Sequence, residues 1–168
     1  EAASHIVNPG IVHCMASTVL EGGHKAAVHT ASSSMLGRMM IRYFKHKEIK
    51  LINIVRREEV IEELKGEGAE IILNSKSPDF EKKLKELTEK EEATICFDPI
   101  AGEMSGKILR NMPDNTKMYI YGALSSDKLN DLNVDDLLFK GKTVNGLWLS
   151  NYMKELEKTK EVEKVLKE

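Results

Sequence analysis

The chain alternates short, nearly continuous apolar runs with longer stretches whose apolar residues recur every three or four positions. The runs fall at 26–30, 50–55, 70–73, 94–97, 117–121 and 143–149 and are rich in Ile, Val, Leu and Tyr. Runs of this length without polar alternation predict strands covered on both faces. The stretches at 35–47, 58–66, 78–90 and 104–111 have helical spacing, and 9–20 adds a helix at the front. In 35–47 the apolar face is Met35, Leu36, Met39, Met40, Tyr43 and Phe44, with the methionines expected as core filler. The Lys- and Glu-rich segment 81–92 predicts a solvated helix face, with Phe80, Leu84 and Leu87 turned inward. Strands alternating with helices imply right-handed crossovers, which place helices on both faces of a parallel sheet. The expected fold class is therefore α/β: a doubly wound, six-stranded parallel sheet of order 3-2-1-4-5-6.

Composition narrows the classes. At 168 residues the chain suits one domain, 1–168, with a core of its own. A net charge of −2 gives no sign of a nucleic-acid partner. No apolar run approaches the roughly twenty residues that span a bilayer, and no signal peptide opens the chain. The expectation is a soluble, intracellular, cytoplasmic protein with no membrane partner, an organelle not being excluded. Cys14 and Cys96 sit in apolar contexts and are expected as buried free thiols. His5, His13, His24, His29 and His46 form no ligand pattern with them, so no metal site is expected. His29 is expected to pack beside the turn that follows it. The last stretch, 154–168, predicts a helix without a stop signal, and the chain begins at Glu1. Both suggest a fragment of a longer polypeptide.

Candidate chemistry gathers where the first apolar run meets its helix, in KAAVHTASSSMLG at 25–37. A tight strand-to-helix turn presents free N–H groups to an anion, and three glycines usually permit the turn, the approach and the close packing. Here Ala31 and Ser34 replace the first two and Gly37 keeps the third. Ala31 costs little if its dihedrals stay in ordinary regions. Ser34 adds bulk where phosphate approaches, while its hydroxyl, with those of Ser32 and Ser33, can donate hydrogen bonds. The alternative is an ordinary serine-rich helix cap. The second run ends in Arg56 and Arg57, where NAD sites carry an acidic residue. Arginine's planar fork suits a 2′-phosphate, which favours NADP (NADPH) over NAD. The alternative is a pair of surface arginines matched with Glu58, Glu59 or Glu62.

The ordered blocks VHTASSSMLGRM, NIVRREE, GAEIILNS, CFDPIAG, YIYGALS and GLWLSNYMK add a likeness. The chain resembles the coenzyme-binding Rossmann domain of the medium-chain dehydrogenase/reductase superfamily. The likeness is to its zinc-type alcohol dehydrogenase-like, quinone oxidoreductase-like and enoyl reductase-like branch, from about Ile6 to Lys154. The resemblance implies that Ala31, Ser32, Ser33, Ser34, Met35, Leu36 and Gly37 build the pyrophosphate turn. It puts Arg56, with Arg57, at the 2′-phosphate, Asn74 near the adenine, and Asp98 and Ala101 beside the central ribose. Gly122, Ala123, Leu124, Leu147 and Trp148 would face the nicotinamide. Trp148 could equally anchor an edge strand. Ser34 and Pro99 depart from the usual pattern. The GroES-like catalytic domain that precedes such domains is missing, so no catalytic residue is assigned. The implied activity of a full-length protein is hydride transfer between NADPH and a small carbonyl, enone, enoyl or quinone substrate. This chain alone would bind nucleotide weakly and catalyse little or nothing. The resemblance also implies a homodimer through 143–149. Two alternatives stay open: a non-enzymatic nucleotide-sensing module, and a domain that serves only in dimerisation.

Overall fold

The computed structural model describes residues 2–152 and 154. Helix α1 (Ala2–Glu21) leads into β1 (Ala26–His29), α2 (Met35–His46) and β2 (Lys50–Val55). A single 3₁₀ turn precedes α3 (Ile61–Gly66), followed by β3 (Ile71–Asn74), α4 (Phe80–Lys90), β4 (Ala93–Asp98) and α5 (Glu103–Arg110). The described elements end with β5 (Lys117–Ile120), α6 (Val134–Leu138) and β6 (Thr143–Gly146). The six strands are all parallel in the order β3-β2-β1-β4-β5-β6. The connection reverses direction between β1 and β4, and that switch point opens a crevice at the carboxyl ends of the strands.

Strand alternation divides the core in two. Ala27, Leu51, Val55, Ile95 and Phe97 face α1, α2 and α3, meeting Val12, Met15, Val19, Met40, Phe44 and Leu64. Ala26, Val28, Ile52, Ile54, Cys96 and Met118 face the other way, toward Phe80 and Leu84 of α4 and Ile108 and Leu109 of α5. Each central strand thus buries both faces, as continuous apolar runs predict.

There are four local differences from the sequence expectations. Helix α1 begins before Pro9 and runs through it. A proline deletes one backbone donor, and packing of Val12, Met15 and Val19 in the core outweighs that loss. The sixth strand ends at Gly146 rather than at 149. Its ladder closes with the Leu147 N–H donating to the Ile120 carbonyl at 2.8 Å, and the backbone is helical from 149, where Leu149 lies against Gly10. Met35, the first residue of α2, is 69% exposed rather than core filler. Helix α6 was not expected. Asn133 starts it by accepting from the Asp135 N–H at 3.0 Å. The predicted helix at 154–168 lies outside the described residues, apart from Lys154.

Candidate functional site

The segment from β1 to α2 is a tight turn built from serines. Ala31 adopts φ +53, the left-handed region that glycine occupies freely. The condition under which Ala31 would cost little, ordinary dihedrals, is therefore not met, since an L-residue with a Cβ is strained there. Ser34 is the N-cap of α2, and its Oγ accepts from the Gly37 N–H at 3.1 Å. Gly37 has no room for a Cβ, which would collide with the backbone carbonyl of Ser32. Arg38 braces the turn from behind. Its Nε donates to the Ser33 carbonyl at 3.3 Å while its guanidinium pairs with Glu63 at 2.7 Å. Among the described residues, the N–H groups of Ser33, Met35 and Leu36 donate to no other group. They form a cluster of free donors at a helix start.

Beneath this turn the polar groups are buried and paired. The Asp98 carboxylate accepts from the hydroxyls of Thr30 and Ser105 and from the N–H of Ile100 at 2.9 Å and of Ala101 at 3.3 Å. These four donors turn it into the protein, where it holds the 98–102 loop to β1. Ala101 takes φ +62 in that loop. His29, wholly buried, meets the Tyr121 hydroxyl at 2.7 Å through Nε2, and burial pushes its pKa down to about 3. The imidazole is therefore neutral at working pH.

A cleft of about 790 Å³ lies over the switch point. Of the residues singled out by sequence, Ala31, Ser33, Arg56, Arg57 and Leu124 line it together. Arg56 and Arg57 are exposed. Arg57 is 3.7 Å from Glu59, whereas Arg56 has no ion pair or hydrogen bond among the described residues. A second hollow of about 340 Å³ at the ends of β5 and β6 contains Ala101, Gly122 and Ala123, and Ser126 borders both. Ser32 and Gly37 lie buried under the turn, while Ser34 and Met35 stand exposed at its rim, beside Leu36. Asn74 lies outside the cleft, donating to Glu58 at 2.7 Å and accepting from the Lys76 N–H at 3.0 Å. Leu147 packs partly into the core, and Trp148 is 69% exposed just beyond the last residue of β6.

Sequence reasoning missed Ser75, Glu103, Ser125 and Asn130, all in the cleft wall. Ser75 follows β3 directly and donates its N–H to Val55 at 2.7 Å, which places it beside the arginines. Its position after a strand end was the available signal. Among the described residues, no three His, Cys, Asp or Glu side chains converge as metal ligands. Cys14 and Cys96 are buried free thiols, the first pushed up to about 11 and the second raised well above its ordinary value, both chiefly by burial. No helix among the described residues is long and apolar enough to cross a membrane.

Known proteins share this architecture. The profile of the family described as zinc-binding dehydrogenase matches residues 36–168. A mitochondrial enoyl-acyl-carrier-protein reductase of Schizosaccharomyces pombe is 26% identical over 164 residues, 92% of this chain and 44% of that protein. Its counterpart in Dictyostelium discoideum is 24% identical over 76% of this chain and 37% of its own length. Among solved structures, a Mesorhizobium loti protein assigned as an NADPH:quinone reductase superposes with TM-score 0.90 at 34% identity, covering 98% of this chain and 48% of that one. An enoyl thioester reductase from Candida tropicalis shares the fold at TM-score 0.77 and 20% identity, over 95% of this chain and 47% of that one. The chain spans less than half the length of these relatives. It belongs to the zinc-binding dehydrogenase family and, through it, to the medium-chain dehydrogenase/reductase superfamily.

Proposed function

We propose that this chain is the NADP(H)-binding domain of a medium-chain oxidoreductase. The observation that carries the proposal is Arg56: an exposed guanidinium without a partner among the described residues, at the end of β2, in the wall of the cleft that the serine turn borders. A dinucleotide fits these groups. The free N–H donors of Ser33, Met35 and Leu36 suit a pyrophosphate at a helix start. Arg56, with Arg57 and Ser75 beside it, suits a 2′-phosphate. Glu58, the nearest acidic residue in sequence to the strand tip, is held by Asn74 at 2.7 Å. Asp98 acts from below by fixing the 98–102 loop, and the hollow around Gly122 and Ala123 is the place for the nicotinamide end. When bound, the nicotinamide supplies or accepts the hydride, while the chain orients it.

The Mesorhizobium loti relative is named for NADPH and quinone, and a related enoyl reductase was crystallised with NADP and crotonyl-CoA. These names support hydride transfer between NADPH and a small carbonyl, enone, enoyl or quinone substrate in a full-length protein. The described residues offer no ligand set for zinc, so no step here is assigned to a metal. Relatives with mitochondrial names leave an organelle as open as the cytoplasm.

A homodimer through β6 is part of the proposal. Thr143, Asn145 and Gly146 are exposed along that open edge, and Val134, Leu138 and Phe139 of the preceding segment are exposed large apolar residues. Unpaired edges of this kind invite pairing.

Calorimetric titration of the 168-residue chain with NADPH and with NADH tests the assignment. Binding of NADPH well above NADH is expected. Preference for NADH would favour a sensing module, and binding of neither would leave only a dimerisation role.

A further inference from the structure

Three loops from three different strands border the cleft and its neighbouring hollow. The 98–102 loop is joined to the segment after β5 by backbone bonds, Leu124 N–H to Pro99 and Ser125 N–H to Ile100, both at 2.9 Å. It is joined to the end of β1 by the Thr30 hydroxyl donating to Asp98. The turn after β1 and the segment after β5 are not neighbours in the sheet, because β4 lies between their strands. What links them directly is a pair of side chains. The His29 and Tyr121 rings lie nearly parallel with centroids 6.0 Å apart, and Nε2 is 2.7 Å from the hydroxyl.

The direction of this bond follows from the neighbouring one. The Ser32 hydroxyl donates to the His29 carbonyl at 2.9 Å, so its oxygen is left to accept from the His29 Nδ1–H at 3.3 Å. A neutral imidazole with its proton on Nδ1 has a lone pair on Nε2, and only the Tyr121 O–H can fill it. Burial keeps the imidazole neutral, as its low pKa shows. Each proton in the relay has one place to go. The relay runs from the first residue past β5, through the last residue of β1, into the serine turn itself.

We propose that Tyr121 is a positioning residue: its hydroxyl, donated to His29, fixes the 121–124 segment against the serine turn, so that the two halves of a bound dinucleotide are held in register. This rests on the NADP(H) reading above. The segment needs such a hold. Ala123 and Leu124 are exposed, and Gly122 has its own backbone pressed against Pro99, where a Cβ would sit 3.0 Å from the carbonyl. The relay sets the third side of a triangle whose other two sides run through Asp98 and Pro99.

The test compares NADPH with 2′,5′-ADP, which carries the adenine, the 2′-phosphate and one 5′-phosphate but no nicotinamide. In Tyr121→Phe, NADPH binding is expected to weaken about ten-fold, roughly one hydrogen bond's worth, while 2′,5′-ADP binding stays within about two-fold. The double variant His29→Leu/Tyr121→Phe removes both polar groups, preserves the fold if the single variant does not, and is expected to show the same split. A merely structural role would move both ligands together or neither, and either result overturns the proposal. If the wild-type chain binds neither ligand, the NADP(H) reading falls and this proposal with it. Unchanged NADPH binding by a variant of a wild type that binds both ligands overturns this proposal alone.

Discussion

Ser34 Oγ accepts a hydrogen bond from the Gly37 N–H at 3.1 Å, closing the first turn of α2. The serine that looked obstructive in sequence is thus the helix cap. It uses one helix-start donor and leaves those of Ser33, Met35 and Leu36 for an anion. Replacing Ser34 with Ala removes the cap and is expected to destabilise the chain by about 1 kcal/mol, whereas Gly costs only a few tenths. Urea unfolding of the two variants checks this. If Ser34→Gly also binds NADPH as tightly as the wild type, the hydroxyl serves the helix rather than the phosphate.

Ala31 offers the opposite prediction. At φ +53 its Cβ is strained, by an amount of the order of 1–2 kcal/mol, while glycine gives back part of that gain in chain entropy. Ala31→Gly should therefore stabilise the protein by about 0.5–1 kcal/mol, read as a rise in thermal midpoint. Gly37→Ala should do the reverse, by about 2 kcal/mol, because the Ser32 carbonyl occupies the space. Equal effects of the two substitutions would show that the turn is differently shaped.

His29 ties stability to pH. Its folded pKa of about 3 lies below the ordinary value of 6.5, so the unfolded chain takes up a proton that the folded chain refuses. Stability should therefore fall as pH drops from about 6.5 toward 3, by up to about 1.4 kcal/mol per unit from this residue. Above that range both states are neutral at this residue and it contributes no slope. His29→Gln should flatten the slope between pH 6.5 and 4 in urea titrations, and an unchanged slope would count against a buried neutral imidazole.

A buried ion pair supplies a further prediction. Lys142 and Asp136 are both about 1% exposed and 3.1 Å apart, and the Lys142 ammonium also donates to the Leu109 carbonyl at 2.8 Å, at the end of α5. Burial by itself raises the Asp136 pKa, but hydrogen bonds from Lys140 and Lys142 outweigh it and set it below its ordinary value. Asp136→Asn leaves the Lys142 charge buried and is expected to cost about 3 kcal/mol. Lys142→Met with Asp136→Leu should cost much less, since no charge is stranded. Unfolding of the two variants in denaturant reads the difference.

Much of this was legible in the chain. The six strands and their order follow from apolar runs that could only be covered on both faces, and Arg56 was placed by its distance from the turn. Other features depend on atoms far apart in sequence. Tyr121 meets His29 across 92 positions, and nothing local to either residue signals the bond. The departure of the chain from the sheet at Gly146 was hidden because Leu147 and Leu149 are apolar for different reasons, one toward the core and the other against Gly10. Helix α6 is five residues long, too short for a periodic signal. The strain at Ala31 is a backbone property that its side chain does not announce.

The central claim is that Arg56 reads a 2′-phosphate, and the ratio of NADH to NADPH dissociation constants tests it most directly. A charged hydrogen-bonded contact is worth about 1.5–3 kcal/mol, so the wild-type ratio is expected at about 10–100. Arg56→Asp should bring it to about 1 or below by losing NADPH affinity. A ratio that Arg56→Asp leaves unchanged, or a wild type that prefers NADH, would contradict the account.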